Sequence, residues 1–464
     1  MGDALPPRHG SHAKAVGRAG MTASQVPIPH ARLIVSAAAI VVAAVILWLS
    51  RTYTFYFDEW TYILNSPDWT WTSYLEPHNV HPAILHRLLY SILLATVGLH
   101  SYVPYMAVLL ALHAANVVLL FELVRRRAGD LIGIAAAALL LVLGAGWEDI
   151  LWAFQTMFVA SVACGLGALV VLEGPRSTRR LLLTALLLTV SLMFSAVGLF
   201  FLVAVAVQLV LVRERRRDLA WLLPTAIAFA AWYLAFARSG SEHDPGPGPS
   251  AANLLVMPFY LLWGLGSAAA GLIGEGGWFA PIMLVLAGIA VGWTWRRRGV
   301  EPFALGIAAG LLTFYLVTGV ARAQFGYQQS GASRYVYVGA VFWLLLLSGA
   351  ARDLPWRGTW RLIIVACLFL ACFNSSVLLF EYTVAKTAQM QRQVADLQAL
   401  NHMRQDPCLD PEGWADPLVM PAVRIPALYY RAIDRYGDPV AALPVTDRSD
   451  FDIAEKNLRL AHCP

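Results

Sequence analysis

Charge is scarce in this 464-residue chain: 14% of residues are Asp, Glu, Lys or Arg, against 58% hydrophobic. Soluble proteins carry about a quarter charged residues, so this balance excludes a string of ordinary soluble domains and indicates a chain whose solvent is mostly lipid. A mean hydropathy of +0.60 agrees. Cysteine is scarce as well. Of five, Cys164, Cys367 and Cys372 fall in apolar runs and Cys408 and Cys463 in a polar tail, and no pair has the spacing of a zinc or redox motif. An extended basic patch is also missing: the net charge of +5 is dispersed in short clusters between apolar runs, which excludes nucleic acid as a partner and makes the arginines a topology signal. No small-residue cleavage site follows the first apolar run, 33–49, so an uncleaved first span is expected. Residues 1–31 lack apolar periodicity and read as a disordered cytoplasmic tail.

What is present is a succession of apolar runs interrupted by arginines. Basic loops resist translocation, so Arg32, 125–127, Arg176 with Arg179 and Arg180, Arg213 with 215–217, 296–298, and Arg352 with Arg357 and Arg361 are all placed in the cytoplasm. Neighbouring clusters must then enclose an even number of crossings. Runs 33–49 and 102–124 cross, and the shorter run 82–97, which carries His86 and Arg87, becomes an interfacial helix within a long external loop, 51–101. Runs 131–146 and 153–172 form the next pair. The run 181–212 is too long for one span and is predicted to be two short helices turning near Ser195. Of 219–237, 254–273 and 279–295 only two can cross, and 254–273, between the Pro/Gly-rich stretches 244–249 and 274–277, is assigned as re-entrant or interfacial. Runs 303–320, 337–350 and 362–380 complete an all-α polytopic membrane protein of about 11 transmembrane helices. Residues 32–380 form the transmembrane domain and 381–464 a small external C-terminal domain. The N-terminus is then cytoplasmic and the C-terminus external, where Cys408 and Cys463 can form a disulfide or stay as two thiols.

Chemistry-bearing residues gather in the loops expected outside. Asp58 and Glu59 follow the first span among Tyr53, Tyr56, Trp60 and Tyr62; a carboxylate in that half-apolar setting can act as a base on a lipid-borne substrate, and the same pattern also fits an aromatic belt with solvated acids. The segment Glu76-Pro77-His78-Asn79-Val80-His81-Pro82 brings two imidazoles into the same loop, read as hydrogen-bonding a sugar, with a divalent metal as the alternative. Glu148 and Asp149 form a second acidic pair, with Trp152 and Gln155 just beyond; capping of the next helix is their other use. Arg322, then Arg334 with Tyr335, occupy a late external loop against the positive-inside trend. Guanidinium groups there suit a polyprenyl phosphate head group, snorkelling or ion pairing being the plainer role.

This order of elements resembles the GT-C membrane glycosyltransferases, particularly the branch of protein O-mannosyltransferases and lipid A aminoarabinose transferases. The likeness rests on the acidic first loop at Asp58-Glu59, the His81-Pro82 segment opening an interfacial helix, the acidic second loop and the late Arg334-Tyr335, and covers the chain to about residue 380. It implies inverting transfer of a sugar from a polyprenyl-phosphate donor to a glycan, lipid or protein acceptor on the external face of the plasma membrane, with no nucleotide sugar. Asp58 then takes the place of the catalytic base with Glu59 supporting it, Glu148 and Asp149 that of the second-loop acid, and Arg334 with Tyr335 that of the phosphate-binding pair; Trp60, His78, His81 and Gln155 are candidate substrate contacts. Ala83 departs from the pattern, where a second proline is common, and the tail matches no domain of the family. Competing readings are a transporter or flippase of lipid-linked glycans, in which these charges line a pathway, and a non-enzymatic envelope assembly protein.

Overall fold

The structure, a computed structural model, describes residues 27–237, 251–444 and 447–463. The expected tail up to residue 26 and the stretch 244–249 lie outside the described residues. The helices in chain order are α1 (Ala31–Leu49), α2 (Asp58–Asn65), α3 (Ile84–Thr96), α4 (Val103–Ala128), α5 (Asp130–Leu141), α6 (Glu148–Leu151), α7 (Thr156–Leu172), α8 (Thr178–Phe194), α9 (Gly198–Leu211), α10 (Leu223–Trp232), α11 (Ala251–Gly271), α12 (Ala280–Arg298), α13 (Pro302–Arg322), α14 (Ser333–Ala351), α15 (Gly358–Met403), α16 (Pro426–Tyr436) and α17 (Arg448–Leu458). Among the described residues there is no β-sheet, only isolated bridges.

Nine stretches of the described residues are long and apolar enough to cross a membrane, where about eleven were expected. The difference has three sources. Run 131–146 yields α5 of 12 residues, about 18 Å at 1.5 Å per residue, well short of the roughly 30 Å hydrocarbon core. Run 181–212 yields α8 and α9, of 17 and 14 residues, broken at Ser195 as predicted. Against these, run 254–273 yields α11, which at 21 residues does qualify by length.

Length alone does not place α11. Its Asn253 side chain donates to Val320 O (3.1 Å) and Gln324 Oε1 (2.7 Å), at the far end of α13. Its middle passes Trp343, whose indole donates to Leu265 O at 2.9 Å. Immediately after it, Ile273 O accepts from Asn374 at 2.8 Å, and Gly271 approaches Val336 in the first turn of α14. Both ends of α11 thus rest at the same end of the bundle, so the helix runs obliquely across α13 and α14. That geometry preserves the parity on which the sequence assignment depended.

The bundle has two chemically distinct ends. At one, the arginine clusters meet: Arg32 and Arg126 bind Glu122, Arg127 binds Glu173 and Glu301, Arg176 and Arg215 bind Asp218, Arg298 binds Asp353, and Arg352 lies 3.7 Å from Glu301. Helices α7 and α14 are apolar on nearly every side and form the centre. By contrast α1, α12 and the first half of α15 expose Ile40, Val41, Ile282, Leu286, Ile289, Leu362 and Phe369, a continuous apolar exterior that only lipid solvates without cost.

At the opposite end the loop 51–101 folds into α2 and α3, and α15 runs on without a break through residues 380–381. Its 46 residues span about 69 Å, more than twice the hydrocarbon thickness. Its far half and the segments after it close over α2. Tyr429 meets the Trp60 ring at 5.6 Å, Arg431 pairs with Asp68 at 2.6 Å, and the Leu99 amide donates to Tyr436 O at 2.8 Å. Gly98 makes this approach possible: at φ 68° it is left-handed, and a Cβ there would sit 2.1 Å from Tyr436 O. Cys408 and Cys463 are joined as a disulfide with Cα atoms 5.9 Å apart, fastening the last helix to the end of α15.

Candidate functional site

Asp58 starts α2, and the residue before it holds an uncommon backbone. Phe57 has φ 51°, and two of the other positive-φ residues that are not glycine, Asn79 (53°) and Ala83 (50°), lie within and just after the histidine segment of the same loop. Such conformations persist where surrounding contacts over-determine them. Here the contacts are the reciprocal backbone hydrogen bonds of His78 and His81, both 3.0 Å, and the Arg87 guanidinium, which donates to the carbonyls of Glu76 and Pro77. Ala83 also explains the departure from the expected proline: proline is locked near φ −65° and cannot occupy this position.

The loop brings His78 Nε2 to 3.8 Å from Asp58 Oδ2, and Asp58 keeps 30% of its side chain exposed. Neighbouring Glu59 is placed differently. It is fully buried, and its carboxylate accepts from the Tyr90 hydroxyl (2.7 Å), the Tyr102 hydroxyl (2.9 Å) and the Tyr56 amide (2.8 Å). Burial pushes its pKa up to about 7, against the three donors that favour the charged form. Glu59 therefore fastens the loop to α3 and α4 and faces no open space. Trp60, expected at the substrate, is likewise buried: its indole donates to Phe55 O at 3.1 Å and its ring packs on Tyr429.

The second acidic pair divides the same way. The Glu148 carboxylate accepts from the Arg334 amide at 3.1 Å, and the Arg334 guanidinium lies 3.9 Å away, so the start of α14 is tied to the 144–155 turn. Ser333 Oγ completes the tie by accepting from the Glu148 amide at 3.0 Å. Asp149 is fully buried with neither carboxylate oxygen hydrogen-bonded, and desolvation first, Glu148 second, raise its pKa well above the ordinary carboxylate range. Gln155 is buried behind it in a 3₁₀ turn.

His81 lies under the arginines. Its Nδ1 is 3.0 Å from Ser195 Oγ, in the break between α8 and α9, and burial, followed by Arg322, His78 and Arg334, lowers its pKa to about 3. A neutral imidazole with its Nδ1 fixed by a hydroxyl is a positioned hydrogen-bonding group, not a cation. Arg322, at the end of α13, stacks over Phe325 at 5.8 Å, and Arg334 over Tyr335 at 5.6 Å. Tyr335 is buried, its carbonyl accepting from Tyr315 at 3.2 Å.

Lys386 was not anticipated. It sits on α15 past the apolar run, almost wholly buried, with Nζ 3.3 Å from the Tyr56 ring centroid and 5.8 Å from that of Trp152. Its ammonium donates to Gln389 Oε1 at 3.1 Å, and Gln389 in turn donates to Tyr56 OH at 3.0 Å. Burial lowers the Lys386 pKa to about 7, against the two aromatic faces and the carboxylates of Glu59 and Glu148, which favour the charged form. A signal existed in the sequence: the chain has three lysines, Lys14, Lys386 and Lys456, and Lys386 alone adjoins an apolar run.

Asp58, His78, His81, Glu148, Arg322, Arg334 and Lys386 therefore converge from five separate segments at the end of the bundle away from the arginine clusters, while Glu59, Trp60, Asp149, Gln155 and Tyr335 form the packed bed beneath them. Among the described residues no three His, Cys, Asp or Glu side chains are grouped to hold a metal, and Asp58 with His78 supplies two donors only.

No family model matches the chain, and no curated protein matches it. Among solved structures, ArnT from Cupriavidus metallidurans bound to undecaprenyl phosphate aligns over 92% of this chain and 77% of its own, at 14% identity and a TM-score of 0.44.

Proposed function

We propose that this chain is a membrane glycosyltransferase of the GT-C kind, which moves a sugar from a polyprenyl-phosphate donor to an acceptor hydroxyl on the external face, with inversion. The observation that carries this reading is the meeting of a partly exposed Asp58 with Arg322, Arg334 and Lys386 at one end of a lipid-facing helical bundle. The arginine-rich end is assigned to the cytoplasm by the positive-inside rule, which puts the candidate site outside.

In this scheme Asp58 accepts the proton of the acceptor hydroxyl as its oxygen bonds to the anomeric carbon, and the bond to the donor phosphate oxygen breaks on the opposite side of the sugar. The departing polyprenyl phosphate keeps the bonding electron pair. Arg334, held 3.9 Å from Glu148 and so loosely paired, and Lys386, with hydrogen-bond donors to spare, stabilise the charge that develops there. His81, neutral and anchored on Ser195, orients a sugar hydroxyl. Glu59 contributes by fixing the first loop, and Glu148 by tying the second to the start of α14.

The purified protein in bilayer nanodiscs, given a polyprenyl-phosphate-linked sugar and membrane extract as acceptor, should transfer label, and Arg334→Ala should raise KM for the donor. Absence of transfer from every polyprenyl-phosphate donor offered would set the reading aside.

A further inference from the structure

A cavity of about 460 Å³ lies at the end of the bundle opposite the candidate active site. Arg126 and Arg127 reach it from the last turn of α4, Gln208 from α9, Arg215 from the 3₁₀ segment Arg213–Leu222, and Arg352 and Glu173 from the residues that end α14 and α7. Their side chains are held in place. Arg126 donates to Val170 O (3.1 Å) and Arg215 to Leu172 O (3.2 Å), capping the exposed carbonyls of α7, while Arg127 bridges Glu173 and Glu301.

Two features of this cavity are not accounted for by folding. First, four arginines (Arg126, Arg127, Arg215 and Arg352) line the cavity against one carboxylate, Glu173, their other ion-pair partners Glu122, Asp218 and Glu301 lying outside the lining, so the wall itself is basic where helices emerge from the apolar layer. Secondly, Glu173, although one oxygen pairs with Arg127, keeps Oε2 buried with no hydrogen-bond partner. A bare anion would satisfy the arginines and leave that acceptor unmet. A phosphate whose ester substituent carries a hydroxyl or ammonium satisfies both.

We infer that this cavity binds a phosphate ester whose substituent donates a hydrogen bond, the phosphate to the guanidinium groups and the hydroxyl or ammonium to Glu173. Guanidinium forks match phosphate oxygens, and basic pockets between helices at the cytoplasmic boundary take lipid head groups. The same chemistry belongs to a membrane phospholipid and to a soluble phosphate ester. Binding here is separate from the candidate active site and does not depend on the glycosyltransferase reading.

The test is native mass spectrometry of the full chain in detergent, titrated with dihexanoyl phosphatidylglycerol, dihexanoyl phosphatidylcholine and glycerol 3-phosphate. The variant Gln208→Glu adds a carboxylate to the cavity without removing any ion pair, and Gln208→Ala is the neutral control. Phosphatidylglycerol should bind better than phosphatidylcholine, whose head group has no donor. Gln208→Glu should weaken it by at least about tenfold, as expected for a like charge within a few ångströms, and Gln208→Ala should not. Binding of glycerol 3-phosphate with the same sensitivity to Gln208→Glu supports the site and identifies a soluble ester as a source. Equal binding of the two lipids, no binding of either donor-bearing ester, or binding indifferent to Gln208→Glu would overturn it.

Discussion

Asp58 and Glu59 are chemically near-identical neighbours, yet one faces open space and the other is sealed under two tyrosines from α3 and the start of α4. Sequence cannot separate them, because their fates are decided by Tyr90 and Tyr102, tens of residues away, and by a turn at Phe57 whose positive φ nothing in the residue type announces. The same limit applied to Trp60, whose aromatic character suits a sugar platform and a core equally. Burial makes Glu59 titrate near 7 in the fold instead of its usual 4.5. A folded-state pKa above the unfolded value means stability that is complete below pH 4.5 and is lost as pH rises to about 7, a span worth about 3 kcal/mol for a single buried group. Thermal unfolding of wild type and Glu59→Gln should therefore diverge between pH 4.5 and 7, wild type losing ground as pH rises, and run parallel elsewhere. Parallel curves throughout would mean Glu59 is not buried as described. Lys386 is tested by function: Lys386→Met should lower kcat/KM for the lipid donor roughly tenfold to a hundredfold, the range for a charge-assisted hydrogen bond, with partial recovery in Lys386→Arg. Recovery of activity in full by methionine would reduce Lys386 to a packing residue.

At the scale of elements, the positions of charge were the most legible part of the sequence. The arginine clusters meet at one end of the bundle in the ion pairs they make with Glu122, Glu173, Asp218 and Glu301, because neither partner can be left in hydrocarbon. The break at Ser195 was legible from length alone. Hydropathy said less about helices that end early for tertiary reasons: α5 stops where Gly144 passes under α15, its amide donating to Ser375 Oγ at 2.9 Å, a contact over 200 residues away. Nor did composition show that α15 continues through 380–381, since a polar helix extending from a membrane and a separate external segment have the same local pattern. Helix α16 closes over the first loop while α17 packs along α15, and the Cys408–Cys463 bond, between residues 55 apart in sequence, holds this C-terminal segment together. Cys408→Ser should destabilise the protein by about 2–4 kcal/mol and expose the chain after residue 403 to protease. An unchanged melting curve with unchanged digestion would show that noncovalent contacts suffice.

For the whole molecule, two faces of opposite character define a direction, with arginine pairs at one end and the convergence of Asp58, Arg334 and Lys386 at the other. Three spans, α12, α13 and α14, separate Gly276 from Thr359, so single cysteines at these exposed positions should report opposite sides, and because α11 begins and ends at the second end, Gly276 should be the external one. A membrane-impermeant maleimide added outside intact cells should label Gly276→Cys and spare Thr359→Cys. Labelling in the reverse sense would put Gly276 in the cytoplasm, the outcome of a full crossing by α11, and labelling of both from one side would contradict the passage of α12, α13 and α14 between them. The most direct test of the catalytic reading is the transfer of radiolabelled sugar from a synthetic polyprenyl-phosphate donor by wild type and by Asp58→Asn at matched expression. Loss of a general base costs about a hundredfold to ten-thousandfold, so the variant should fall to near background while retaining its fold. Transfer undiminished in Asp58→Asn, or a wild type that transfers nothing yet moves a lipid-linked glycan across liposomes, would contradict it.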